Sequence, residues 1–164
     1  MQIRSYRPED LPILREITVE AFDGVSIDQG IERKFGVING HEWQWRKGRH
    51  VDEDTLREPG GIFVLEIDGA IAGCISTWCD HEAGIGHIPN IVFVPQHRGQ
   101  GLGRKLIEYA LDHFRKNGLK YAKIETLVQN DVGNHLYQSI GFQEVARQIH
   151  FVADLDACKD DNRG

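Results

Sequence analysis

Three glycines at alternate positions, Gly99, Gly101 and Gly103, follow the apolar run Val92-Phe93-Val94-Pro95 and stand between Arg98 and Arg104. Glycine lacks the Cβ that would block a ligand. A helix starting near Leu102 would aim its unpaired first-turn N–H groups and positive dipole end into the same gap. Phosphate is the chemistry such a backbone handles. The spacing excludes two better-known phosphate loops. A P-loop needs Ser or Thr after its lysine to hold magnesium, and here Lys105 is followed by Leu106. A dinucleotide-binding turn needs a further glycine where this chain has Arg104 or Leu106.

What remains is Arg-x-x-Gly-x-Gly, carried by Arg98, Gly101 and Gly103, with a second segment downstream in which Asn130 leads to Leu136-Tyr137-Gln138-Ser139-Ile140-Gly141-Phe142. In this order and spacing the two segments resemble the coenzyme A signatures of the GNAT superfamily of N-acetyltransferases, with some likeness to the branch that acetylates ribosomal-protein N-termini. The resemblance runs over residues 3–152, although its specific motifs lie within residues 92–142. It implies an α+β fold, with a central mixed, mostly antiparallel twisted sheet of about seven strands and helices on both faces. It also implies acetyl-CoA as co-substrate, no metal, and acetyl transfer to a primary amine by direct attack in a ternary complex. Two alternatives stay open at this point: a non-catalytic CoA-binding regulatory module, and a transferase of a longer acyl group.

The resemblance distributes roles as well. Ile91, Val92, Phe93 and Val94 would meet the pantetheine arm as a strand edge meets an added strand, Val92 and Val94 foremost. A backbone N–H near Val92 would polarise the thioester carbonyl. Amides from Arg98 through Gly99, Gln100, Gly101, Leu102 and Gly103 to Arg104 would hold the pyrophosphate. Asn130 and Asn134 would bond to the pantetheine or ribose end. Asn134 and Gly133 depart from the family pattern, which usually has an apolar residue and an alanine there. Tyr137 would stand near the coenzyme sulfur and protonate the departing thiolate.

An amine of ordinary lysine-like pKa is almost wholly protonated at neutral pH, and freeing it costs about 4–5 kcal/mol unless a base helps. Glu125, on the strand just before Asn130, matches in position a glutamate of the ribosomal-protein branch and is the first candidate. His87 and Glu82, near the start of the preceding strand, are the others, acting directly or through water. Cys74 and Cys79 sit on a neighbouring strand away from both signatures, so no covalent intermediate is indicated. Being five apart there, they should face opposite ways, which argues against zinc held by Cys74, Cys79, His81 and His87.

Positioning these groups requires a definite series of elements. Residues 3–6 read as a strand. Pro8-Glu9-Asp10 opens a helix whose face is Leu11, Leu14, Ile17, Ala21 and Phe22. Strands over residues 62–67 and 70–78 flank Asp68-Gly69, a hairpin signal. A strand over 85–94 leads into the glycine loop. A helix marked by Leu102, Leu106, Tyr109, Ala110, His113 and Phe114 ends at Asn117-Gly118. A strand over 121–127, a helix over 131–140 and a last strand over 142–152 complete the pattern. Strand, helix, strand in that order imply one parallel crossover. Residues 23–50 resist a periodic reading. In the resembled family this part covers the acceptor, so Trp43 and Trp45 either line that site or divide between core and surface packing.

With 164 residues, 19 Lys plus Arg against 25 Asp plus Glu, and a net charge of −6, the chain suits one domain and lacks the basic surface that nucleic acid demands. The expected organisation is a single domain over 1–153 and a polar tail over 154–164. The three cysteines form no pairing framework. No apolar run is of membrane-spanning length and the start lacks the layout of a signal peptide, so the expectation is a cytoplasmic protein without membrane partners. The partners are then acetyl-CoA and an amine acceptor, a small molecule or a peptide N-terminus. Members of the family commonly form dimers, which leaves a homodimer open.

Overall fold

In the computed structural model, which describes residues 1–159, Asp68 and Gly69 both adopt left-handed backbone (φ 53° and 80°), as a tight two-residue hairpin turn requires. They join β2 (Ile62–Ile67) to β3 (Ala70–Asp80). β1 (Gln2–Ser5) pairs antiparallel with β2, β4 (Ile85–Phe93) antiparallel with β3, and β5 (Tyr121–Ile124) parallel with β4. The sheet order is β1-β2-β3-β4-β5.

Alternation along these strands feeds two cores, one on each face of the sheet. On one face α1 (Leu11–Ala21) and α3 (Trp43–Arg57) place Leu14, Ile17 and Val51 against Ile62, Val64, Cys74 and Val92. On the other, α4 (Leu102–Lys116) sets Leu102, Leu106, Ile107, Ala110 and Phe114 against Phe63, Leu65, Ile75 and Ile88. α4 is the crossover between β4 and β5, and α5 (Asp131–Ile140) packs beside it through Leu136 and Tyr137. Gly86 permits this approach, because a Cβ there would lie 2.4 Å from the Phe114 ring. The mixed sheet with helices on both faces is therefore as expected. Cys74 and Cys79 fall in opposite cores, as their spacing required.

Three expectations need correction. Among the described residues the sheet has five strands rather than about seven. β5 stops at Ile124, short of Leu127. Residues 142–152, expected as a last strand, are not assigned as strand and pair with none of the five. The unreadable stretch before residue 50 contains α2 (Ile27–Phe35) and most of α3. Residues 160–164 of the expected tail lie outside the described residues.

Candidate active site

β4 is irregular where it matters. Ser76 faces Asn90 and Trp78 faces His87, so Thr77 alone spans Ile88 and Pro89, an extra residue that bends β4. Its parallel pairing with β5 ends at Ile88 opposite Ile124, while β4 runs on to Phe93 with β3 as its neighbour. A gap therefore opens between β4 and β5. The Val94 N–H donates to the Ala72 carbonyl (2.9 Å), which turns the main-chain polar groups of Val94, and by alternation Val92, toward β3. Those facing the gap belong to Ile91 and Phe93. The Val92 side chain is core.

At the end of β4 the glycine loop divides its work. Gly99 and Gly101 are left-handed (φ 75° and 73°), with open space where a Cβ would stand. Gly101 precedes the first turn of α4, which no side chain caps, so its leading N–H groups point unfilled into that space. Gly103 serves packing instead, since a Cβ there would come within 2.8 Å of Leu136 Cδ2 and push α5 off α4. Leu102 is buried and offers the loop only its amide. Arg98 is exposed, and Gln100 donates to the Gln96 carbonyl. Arg104 turns away from the loop, donating to the Ser139 hydroxyl (2.8 Å) and carbonyl (3.3 Å). Beside the loop the His97 Nδ1 atom is buried without a partner. Two open left-handed glycines and an uncapped helix end fit a pyrophosphate.

Tyr137 lies on the α4/α5 side. Burial pushes its phenol up to about 12, so the hydroxyl stays protonated throughout the neutral range. Asn130 caps α5, accepting from the Gly133 N–H (3.1 Å) and donating to the Thr126 hydroxyl (2.8 Å). A Cβ on Gly133 would fall 2.6 Å from Asn130 Nδ2 and 3.2 Å from the Tyr137 hydroxyl, which accounts for glycine at this position. Asn134 donates to the Val128 carbonyl (3.1 Å). Both asparagines thus brace the turn between β5 and α5.

The candidate bases lie on the opposite face, the α3 side. His87 stacks on Trp78 (3.9 Å between centroids, 6° between planes) and stands opposite Lys123 of β5. Desolvation, helped by Lys123, holds its imidazole below the usual range and hence neutral. Glu125, two residues after Lys123, is exposed and ion-paired to it (2.7 Å). Glu82 is exposed in the turn before β4, at the end away from the gap.

Sequence reasoning missed a polar network beside them. The Asp54 carboxylate accepts from Ser76 Oγ (2.7 Å) and Asn90 Nδ2 (2.6 Å), and Asn90 Oδ1 accepts from Lys47 Nζ (3.2 Å). Lys47 is 6% exposed and its ammonium sits 3.5 Å from the centre of the Phe22 ring. Burial pushes it down to about 8, against attraction from Asp28 and Asp54. Trp43 is core, whereas Trp45 stacks on His41 (3.7 Å) on the outer side of α3. A second cluster joins Glu58, Cys79 and His113, whose ligand atoms lie within 4.8 Å of one another. There Glu58 already accepts the Cys79 N–H (2.8 Å), and burial raises the Cys79 thiol and lowers the His113 imidazole.

This geometry has known counterparts. A 129-residue stretch is 30% identical to an uncharacterized N-acetyltransferase of Archaeoglobus fulgidus, covering 76% of this chain and 80% of that protein. The [ribosomal protein bS18]-alanine N-acetyltransferase of Escherichia coli is 32% identical over 71 residues, 43% of this chain and 48% of the relative. The crystal structure of the PaiA N-acetyltransferase of Thermoplasma acidophilum in complex with coenzyme A superposes with a TM-score of 0.69 at 20% identity, over 87% of this chain and 89% of that one. The profile of the acetyltransferase (GNAT) family matches residues 25–142, across the bent β4, the glycine loop and α5, and the chain belongs to that family.

Proposed function

We propose that the protein transfers the acetyl group of acetyl-CoA to a primary amine by direct attack in a ternary complex, with both substrates meeting in the gap between β4 and β5. The observation that carries this reading is the parting of the two strands beyond Ile88 and Ile124, with the open glycine loop at the end of β4.

The amides of residues 99–104 hold the pyrophosphate, with Arg98 adding charge. The pantetheine arm runs along the β4 edge on the main-chain groups of Ile91 and Phe93, and an N–H of that edge stabilises the oxyanion. Val92 and Val94 keep this edge straight from the core side. Asn130 and Asn134 act through the turn they brace.

The amine approaches from the α3 face, where Glu125 takes its proton once the coenzyme or acceptor displaces Lys123. His87, neutral at pH 7, is the other base within the same patch. Nitrogen attacks the carbonyl carbon, the C–S bond breaks, and the sulfur leaves toward the α5 side. Burial makes Tyr137 a reluctant donor, so it first hydrogen-bonds the sulfur as charge develops and passes the proton as the thiol forms. Acid and base thus work from opposite faces of the sheet.

The likeness to the bS18-alanine enzyme supports a peptide N-terminal amine as acceptor, with a small primary amine as the other class. Among the described residues no helix is long and apolar enough to cross a membrane, which supports the cytoplasmic reading. Residues 1–153 act as the catalytic domain. The test is calorimetric titration with acetyl-CoA together with thiol release over a panel of N-terminal peptides and small amines. Saturable binding with amine-dependent thiol release is expected; no binding would remove the loop assignment, and binding without release for any amine would remove the transferase.

A further inference from the structure

Away from the gap between β4 and β5, three elements bring a carboxylate, a thiol and an imidazole to one point. Glu58 directly follows α3, Cys79 is the last but one residue of β3, and His113 lies in the last turn of α4. Their ligand atoms stand within 4.8 Å of one another, and all three residues are half-buried. The strand alternation that sends Cys74 into the opposite core turns Cys79 toward α4, and so toward His113. Cys74, His81 and His87 are not part of this set.

Each of the three is held in place. The Glu58 carboxylate accepts the Cys79 N–H (2.8 Å), which fixes it beside the residue that carries the thiol. The turn after Glu58 is pinned to β3, since Thr77 Oγ1 donates to the Gly61 carbonyl (2.7 Å) and a Cβ on Gly61 would lie 2.2 Å from the Thr77 carbonyl oxygen. The His113 ring meets Phe63 edge-on (5.0 Å between centroids, 66° between planes) and brings Nε2 to 3.9 Å from Cys79 Sγ. Bonds of about 2.0–2.3 Å to a tetrahedral zinc ion set its ligand atoms about 3.3–3.8 Å apart. The thiol and imidazole are thus already close to the separation required, and an inward swing of the Glu58 carboxylate supplies the rest.

One sulfur, one imidazole nitrogen and one carboxylate oxygen form a donor set that suits zinc better than magnesium or calcium. Desolvation holds the His113 imidazole below its usual range, so a ring lone pair is available at neutral pH. On binding, the thiol proton passes to solvent, and the ion's two positive charges cancel those of thiolate and carboxylate, which favours a half-buried position. We propose that Glu58, Cys79 and His113 bind one Zn²⁺ per chain, with water in the fourth position, and that the ion ties the end of α3 to β3 and to the end of α4. Cys79 faces Gly86 of β4, whereas the glycine loop follows Phe93, which faces Gly73. The two sites are therefore about 20 Å apart along β3, and the ion joins helices from the two faces of the sheet without touching the thioester.

The full-length chain, reduced and stripped with a chelator, tests this when titrated with Zn²⁺ alone by calorimetry and with Co²⁺ alone by absorption. The expected result is one Zn²⁺ per chain with Kd below ~1 μM and a thiolate-to-cobalt charge-transfer band. Zinc at about 100 times Kd should raise the thermal midpoint by about 5–10 °C. Cys79→Ser should abolish the band. Glu58→Gln and His113→Gln should each weaken zinc binding at least ~10-fold. Glu58→Gln keeps an acceptor for the Cys79 N–H, so its loss of zinc, with unchanged circular dichroism of the metal-free protein, separates ligation from folding. His81→Gln and Cys158→Ser, both at exposed positions, should leave every readout as in wild type. Zinc binding weaker than the stated limit, absence of the band, a band that survives Cys79→Ser, or a loss of affinity in His81→Gln equal to that in His113→Gln overturns the proposal. None of these readouts involves acetyl transfer, so the zinc site is tested separately from the catalytic reading.

Discussion

Lys47 is the residue whose burial is hardest to justify by stability alone, and Lys47→Met measures the cost. The fall from 10.5 to about 8, at about 1.4 kcal/mol per unit, means that burying the charged ammonium costs about 3 kcal/mol. Below pH 8 the group is protonated in folded and unfolded chains, and the folded state carries the whole cost. As pH rises past about 8 the folded form sheds its proton while the unfolded form keeps it to about 10.5, so stability increases across that window. Methionine has no such transition. It forfeits the bond to Asn90, worth about 1 kcal/mol, and the cation over Phe22, worth about 2 kcal/mol when desolvated and partly recovered by sulfur–aromatic contact. At pH 7 the variant should therefore be more stable than wild type by about 1 kcal/mol. Between pH 7 and pH 10 wild type should gain ~2 kcal/mol on the variant, while other titrations cancel. Urea unfolding of both proteins at the two pH values reads this directly. Parallel profiles would refute the argument.

The glycine loop gives two contrasting outcomes. Gly101→Glu puts a carboxylate and an unfavourable φ of 73° into the phosphate space and should weaken acetyl-CoA binding ~100-fold or more by calorimetry; retained affinity would move the coenzyme elsewhere. Gly103→Ala should leave coenzyme affinity within a few fold but lower stability by ~1 kcal/mol, overpacking against Leu136 outweighing the helix-propensity gain. Tyr137→Phe should lower kcat roughly 100-fold with little change in coenzyme affinity, and unchanged kcat would remove the acid role. Glu125→Gln should reduce kcat/KM by roughly 100-fold, more than His87→Gln does; the reverse order would transfer the base to His87.

The parts that sequence disclosed were those whose cause is local. Asp68-Gly69 specified its hairpin because two consecutive left-handed residues are needed there. The odd spacing of Cys74 and Cys79 placed them in opposite cores because strands alternate. Helix α3 was hidden for an equally physical reason. Its buried positions, Trp43, Lys47, Gly48 and Val51, have helical spacing, but two of the four are a lysine and a glycine, so hydropathy hides the face they form. Gly103 read as a ligand glycine because only a neighbour distant in sequence, Leu136, shows that its missing Cβ serves packing. Residues 142–152 read as a strand from their alternation, and the structure assigns none there. A strand exists only where a neighbouring edge pairs with it, and no local pattern says whether such an edge is within reach.

The same alternation bears on how the proposed acid and base are arranged. Lys123 stands opposite His87 on the α3 face, and Glu125, two residues on, reaches Lys123 from that side. Thr126, the next residue, turns the other way to meet Asn130 at the start of α5. The chain therefore changes sides within one residue, and Leu136, Tyr137, Ile140 and Phe142 after it pack on the α4 face. A short strand, a turn and a capped helix are enough to put a carboxylate and a phenol on opposite faces of the sheet. In the proposed mechanism the nucleophile enters from one side and the thiol leaves on the other, and this arrangement requires no residue to cross the sheet.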